Sequence, residues 1–137
     1  MKKNKGFTLM ELTIVLAILA IIAVILVPAF LTTTDRARLR SDIQSARVIQ
    51  NAIDLYRLER GIDPTGGTVP LMMEHLVDEG FLSRQNASVP SSGAVWYIRG
   101  DRVIVDIGGI EGLYSTANGL PIAERRMVYN GSTPLVP

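Results

Sequence analysis

The sequence predicts an α+β chain: a long N-terminal α-helix packed on a small antiparallel β-sheet head. Three observations carry that reading. Residues 12–34 form a run of 23 positions without a charge. Apolar residues then recur at helical spacing from Leu39 to Tyr56. Two β-branched or aromatic runs, 94–98 and 102–107, flank a short Gly100-Asp101 turn. The first two give one helix with two different halves, and the third gives a hairpin.

The helix begins in a segment of unusual composition. All three lysines, Lys2, Lys3 and Lys5, lie in the first five residues, and every later cation is arginine. Eleven of the twelve glycines and six of the seven prolines lie beyond residue 30. As a helix, the uncharged run would reach about 35 Å at roughly 1.5 Å per residue, enough for a hydrocarbon core about 30 Å thick. Its most apolar part, 12–27, is Leu, Ile, Val and Ala with one Thr, and is apolar on every face. That pattern belongs to a membrane span rather than a surface helix. The basic start places the N-terminus on the cytoplasmic side and the rest of the chain outside. A cleaved secretory signal is disfavoured, because the apolar core is too long and no clear A-x-A site follows. A buried core helix is disfavoured because so small a chain could hardly cover it.

Glu11 argues against a plain anchor. A carboxylate near the end of a spanning helix costs roughly 2–3 kcal/mol if it lies deep. An anchor gains nothing from it, and the uncharged run offers no cation. The nearest one would be a new terminal amine, made by a cut just before Phe7.

At this point the residues identify a family. Lys2-Lys3-Asn4-Lys5-Gly6-Phe7-Thr8-Leu9-Met10-Glu11-Leu12 resembles the class III signal of type IV prepilins and type II secretion pseudopilins. The resemblance implies cleavage by a prepilin peptidase between Gly6 and Phe7, and N-methylation of Phe7. It implies that Glu11 serves filament assembly by meeting the terminal amine of a neighbouring subunit. Pro28 matches the proline that kinks or locally melts the helix. The domains expected on this basis are a leader peptide at 1–6, a transmembrane and filament-core helix at 7–34, and an extracytoplasmic head at 35–137 that includes the second half of the helix. Physical chemistry fits these roles. Glycine lets a protease approach the backbone closely. An amine–carboxylate pair neutralises a charge that is costly in an apolar core. Proline removes a helix hydrogen bond, and Thr32, Thr33 and Thr34 follow to re-satisfy freed backbone groups. Loss of the leader would leave 11 Arg against 13 Asp plus Glu, so the precursor charge of +1 becomes −2.

Residues 35–59 read as the same helix continued. Leu39, Ile43, Ala46, Ile49, Ile53 and Tyr56 form one apolar face, with Arg36, Arg38, Arg40, Asp42, Arg47, Asp54, Arg57 and Glu59 mostly elsewhere, and Gly61 ends it. Unbroken, the whole helix would run about 80 Å at 1.5 Å per residue, giving the ladle shape of pilins. Residues 62–69 read as a loop. Residues 70–79 read as a short helix with Pro70 in its first turn and Gly80 after its end. A third run, 126–129, adds a candidate strand. Gly108-Gly109 and 118–121 are turn signals. Residues 70–82 also resemble a region of Gram-positive competence major pilins and related pilins, and the 52–56 stretch is similar to the helix of pseudopilins and competence pilins. The chain departs from many type IV pilins in having no cysteine to close a C-terminal loop.

Composition narrows the chemistry. A chain of 137 residues, 47% hydrophobic and 20% charged, is one domain plus an appendage and not a disordered tail. Without cysteine and with a single histidine, it has no disulfide scaffold, no thiolate metal site and no His-rich metal site. Asp101, Asp106 and Glu111 are too scattered for a calcium site, which needs six or more oxygens brought together. His75 reads as a surface or half-buried side chain. Arg99-Gly100-Asp101 is explained by a hairpin turn. Gly108-Gly109-Ile110-Glu111-Gly112 is not a nucleotide fingerprint, because no following helix is evident. Asn86-Ala87-Ser88 and Asn130-Gly131-Ser132 match a three-residue sequon, a weak pattern. Ser91-Ser92 reads as a plain loop rather than a glycan site. Arg36, Arg38, Arg40 and Arg47 could touch nucleic acid phosphates, but Asp35 and Asp42 dilute them, and direct DNA contact is disfavoured.

The expectation is a structural subunit without catalytic residues, cofactor or metal, built into a helical homo-oligomer. Its expected partners are the prepilin peptidase, an assembly platform with its ATPase, and membrane lipid before assembly. Its expected location is the cytoplasmic membrane in a single pass, then a surface filament or a periplasmic pseudopilus. The alternatives are a pseudopilin of a type II secretion system and a membrane-anchored binding module that never polymerises.

Overall fold

A computed structural model describes residues 7–110, 112–131 and 133–136, with the backbone alone at 28 and 29. The chain divides into two units, 1–34 and 35–137. The first helix, α1 (Leu9–Arg60), contributes to both.

In the first unit, α1 is bare. It is long and apolar enough to cross a membrane, and none of its most apolar stretch is buried. Seventeen large apolar side chains between Phe7 and Leu31 are exposed, from 44% at Ile22 to 83% at Phe7. The helix continues through position 28. The Thr34 hydroxyl donates to the Phe30 carbonyl at 2.9 Å, one turn back.

In the second unit, residues 35–60 of α1 pack with α2 (Val69–Asp78) and a four-stranded sheet. All six apolar-face residues expected from the spacing, Leu39, Ile43, Ala46, Ile49, Ile53 and Tyr56, are buried. The sheet is β1 (Val95–Arg99), β2 (Arg102–Asp106), β3 (Val128–Asn130) and β4 (Thr133–Pro134), in that spatial order. Trp96, Val103, Val105 and Val128 form its core face. The expected hairpin is present, with Arg99 opposite Arg102 and Gly100 at φ +60° in the turn, a backbone conformation that favours glycine.

The sheet is mixed rather than wholly antiparallel. β1/β2 and β3/β4 are antiparallel, but β2 and β3 run parallel, with Val105 opposite Val128. A parallel pair needs a crossover rather than a tight turn. The chain supplies one through two short helices, α3 (Leu113–Asn118) and α4 (Ile122–Arg125), in a stretch that reads from sequence only as turns.

Three polar devices hold this unit. Asp42, expected among the solvent-facing charges, is instead 3% exposed. Its carboxylate accepts hydrogen bonds from the backbone N–H of Ser91 (2.8 Å) and Ser92 (2.9 Å) and from the Ser91 hydroxyl (3.0 Å). It thereby fixes to α1 the loop that leads into β1. Gln50 completes the row of partners along β2. Val105 and Ile107 donate to the carbonyls of Met127 and Tyr129. Val103, past the reach of β3, donates to the Gln50 side-chain carbonyl at 2.7 Å, while the Gln50 amide donates to the Asp101 carbonyl at 2.9 Å. The third device ends α2. Phe81 N–H donates to the Leu76 carbonyl and Gly80 N–H to Val77, with Gly80 at φ +81°. This is a Schellman stop, which calls for glycine at that position and an apolar residue after it. The Phe81 ring then packs on Tyr56, with centroids 5.1 Å apart.

Removing the Asp42 carboxylate strands two backbone donors, and a charge-assisted bond contributes about 1.5–3 kcal/mol. Asp42→Ala is therefore expected to lower unfolding stability by about 3 kcal/mol, followed by denaturant titration of the full chain in detergent with the single tryptophan, Trp96, as probe. A midpoint equal to wild type would show that the loop is held by other contacts. Gln50→Ala is expected to cost about 1–2 kcal/mol in the same titration, and an unchanged midpoint would remove its role in the ladder.

Candidate functional site

The start of α1 is locally built by Thr8 and Glu11. The Thr8 carbonyl accepts the first helical bond, from Leu12 N–H at 3.2 Å, which makes Thr8 the N-cap. Glu11 N–H donates to the Thr8 hydroxyl at 3.3 Å. In return, Glu11 Oε2 accepts from Thr8 N–H and from the Thr8 hydroxyl, both at 2.9 Å. This is a capping box, and it satisfies helix N–H groups that have no intrahelical partner. A carboxylate here also suits the positive end of the helix dipole. The signal was present in the sequence as Thr-x-x-Glu before an apolar run, and the expectation above missed it.

The box leaves something over. Both bonds to the carboxylate fall on Oε2, and Oε1 accepts none from the described residues. Glu11 is thus a held, oriented acid with one oxygen open, at the head of a bare apolar helix. Phe7, which precedes Thr8 in the chain, is 83% exposed. Gly6, the other half of the expected cleavage site, lies outside the described residues, as do Lys2, Lys3 and Lys5. Pro28 lies within α1.

The other candidates resolve into structural roles. Arg40 pairs with Glu124 at 3.1 Å and Arg38 with Asp35 at 4.0 Å. Arg36 lies against Gly119, close enough that a Cβ there would come within 2.9 Å of its guanidinium. The arginines of α1 are therefore not one open basic face. Asp106 accepts from Gly108 and Gly131 N–H, both at 2.8 Å, which ties two turns together. Asp101 is drawn to Arg57 at 3.7 Å, and Glu111 lies outside the described residues. Among the described residues no three His, Cys, Asp or Glu side chains gather as metal ligands. His75 is half-buried and meets the Tyr56 hydroxyl at 3.1 Å. Arg99 of the Arg-Gly-Asp tripeptide lies over the Tyr129 ring, 5.1 Å from its centroid. A helix does follow the 108–112 glycine run, contrary to expectation, but α3 has only six residues. Ser92 N–H is bonded to Asp42, so the Ser91-Ser92 loop is a clamp. Ser132 of the second sequon lies outside the described residues.

Comparison with known proteins matches the same N-terminal region. Residues 1–27 match the family model described as the prokaryotic N-terminal methylation motif. The type II secretion system core protein G of Vibrio cholerae is 35% identical over 65 residues, 47% of this chain and 44% of that protein. A prepilin peptidase-dependent protein A of Clostridium perfringens is 41% identical over 63 residues, 44% of this chain and 45% of that protein. The type IV major pilin protein PilE of Neisseria gonorrhoeae is 42% identical over 65 residues, 47% of this chain and 39% of that protein. The chain thus spans less than half the length of each of these three relatives. No solved structure matches it significantly. The chain carries a prokaryotic N-terminal methylation motif, and over somewhat less than half its length it is similar to type IV pilins and to type II secretion pseudopilins.

Proposed function

We propose that this chain is the structural subunit of a type IV pilus-like helical filament, processed by a prepilin peptidase and assembled from the cytoplasmic membrane. The observation that carries the reading is Glu11, a carboxylate held by Thr8 with one oxygen left open by the described residues, heading a helix whose described large apolar side chains from Leu9 to Leu31 are exposed. A single chain cannot cover that helix. Lipid covers it before assembly, and copies of the same helix cover it afterwards. The open Oε1 is suited to accept from the terminal amine of a neighbour, created when the chain is cut between Gly6 and Phe7. The pair would set register in an apolar core, and removing either partner would leave the other charge uncompensated there. Methylation then falls on the Phe7 amine. Pro28 gives the helix a point at which it can bend as the subunit leaves the membrane. No catalytic role is assigned, in keeping with relatives named as pilins and secretion-system proteins.

A second reading has its own support. The similarity to secretion system core protein G favours a pseudopilin of a type II secretion system, with the same processing and the same helix core. An assembly platform and its ATPase are implied by either reading.

The intact and N-terminal peptide masses of the protein from its native membrane test the processing. The expected chain begins at Phe7 and carries one added methyl group. A chain that keeps residues 1–6 in the presence of the peptidase would overturn it and favour an anchored module. Glu11→Ala is expected to leave membrane insertion intact and to cut filament yield at least about tenfold, the effect of losing roughly 1.4 kcal/mol per subunit contact. Filaments as abundant as wild type in that variant would remove Glu11 from assembly.

A further inference from the structure

The second unit carries a groove of about 400 Å³ between α1, the start of β2 and the residues just before β3, Arg126 and Met127. Arg47, Arg102 and Arg126 line it together with Val103, Ile104 and Met127. The arginines are exposed, and among the described residues none pairs with a carboxylate. Arg47 reaches only the Met127 sulfur, at 3.4 Å, a weak acceptor. Asp54 and Asp101 also line the groove, but both are engaged by Arg57, at 3.6 and 3.7 Å. The groove therefore offers apolar walls and three uncommitted cations.

The matching feature lies on another element of the same unit. Val69, Met73 and Leu76 are the buried residues of α2. Leu71, Glu74 and Asp78 follow one exposed ridge, at spacings of three and four, with Leu71 55% exposed. Among the described residues Glu74, Asp78 and Glu59 are the acids without an ion pair or hydrogen bond. Every other described carboxylate is committed to an arginine, a hydroxyl, an amide or a backbone N–H.

We propose that the α2 ridge of one copy, Leu71, Glu74 and Asp78, docks in the Arg47/Arg102/Arg126 groove of the next copy. Charge complementarity selects this occupant. Among the described residues three cations stand unpaired around an apolar-walled groove and two anions unpaired beside an exposed leucine, on separate surfaces. Contacts between two different patches of identical chains are heterologous, so each copy keeps one free groove and one free ridge. Such contacts propagate as a fibre unless the rotation closes them into a ring. The inference rests on the filament reading and deepens it. The apolar helices supply cohesion, and the charged contact between heads fixes which neighbour is met and in what orientation.

A charge swap tests it in cells that assemble the full chain. Arg102→Glu with Arg126→Glu is expected to lower filament yield at least tenfold, and Glu74→Arg with Asp78→Arg to do the same. All four substitutions together are expected to return yield to within about twofold of wild type, since opposite-sign pairing is restored. Cysteine pairing gives a readout that spares the charge pattern elsewhere. The chain has no native cysteine, so Arg102→Cys with Asp78→Cys in one chain is expected to yield a ladder of disulfide-linked oligomers from oxidised filaments. Wild-type filaments without rescue in the quadruple variant and without a ladder in the cysteine variant would overturn the contact and leave the filament reading intact. Arginine variants that keep their filaments but lose retention on a polyanion such as heparin would overturn it and give the groove to another occupant. Wild-type cells that make no filament would overturn both.

Discussion

A helix that is apolar on every side has no stable place in water, and residues 9–31 present one whose described large apolar side chains stay exposed. Burying a Leu, Ile or Val side chain is worth about 1.5–3 kcal/mol. Fourteen such groups therefore represent tens of kcal/mol, more than the 5–15 kcal/mol that separates a typical folded domain from its unfolded chain. No arrangement of the second unit could offset that exposure. The segment must be covered by something outside the chain, and the properties of its first turn follow. Glu11 would be expensive if unpaired in such surroundings. It is instead bonded to Thr8 through one oxygen, and the other accepts nothing from the described residues.

The second unit has the opposite problem. It must fold around one face of one helix, with a sheet whose last two strands have only three and two residues. Short strands supply few backbone bonds, so side chains on α1 supply the missing ones. Gln50 stands in for a strand beside Val103, before β3 begins. Asp42 takes the two backbone donors of the loop that enters β1. In this way α1 serves as a hydrophobic platform and as a source of hydrogen-bonding partners for the sheet. Its carboxylates and arginines are mostly used internally, which makes the few uncommitted charges on α2 and beside β2 informative about contacts with other molecules.

Much of this was determined by the sequence alone. Periodicity and charge-free length are local properties, so they located the bare half of α1, the buried face from Leu39 to Tyr56, the α2 stop at Gly80 and the Gly100 hairpin. The residue pattern from Lys2 to Glu11 likewise pointed to prepilin processing, and residues 1–27 match the methylation motif. The capping box was equally local, and Thr8 with Glu11 carried it in plain view.

Tertiary structure decided what depends on distant pairing. Asp42 reads as one more exposed charge on a helix until Ser91 and Ser92, some fifty residues later, arrive to donate to it. The parallel pairing of β2 with β3 could not be read from strand propensity, which says nothing of direction. It required the crossover through α3 and α4, two helices too short for a 3.6-residue period to show. The groove between α1 and β2 arises for the same reason. Arg47, Arg102 and Arg126 are spread over eighty positions and meet only because the sheet folds back on the helix.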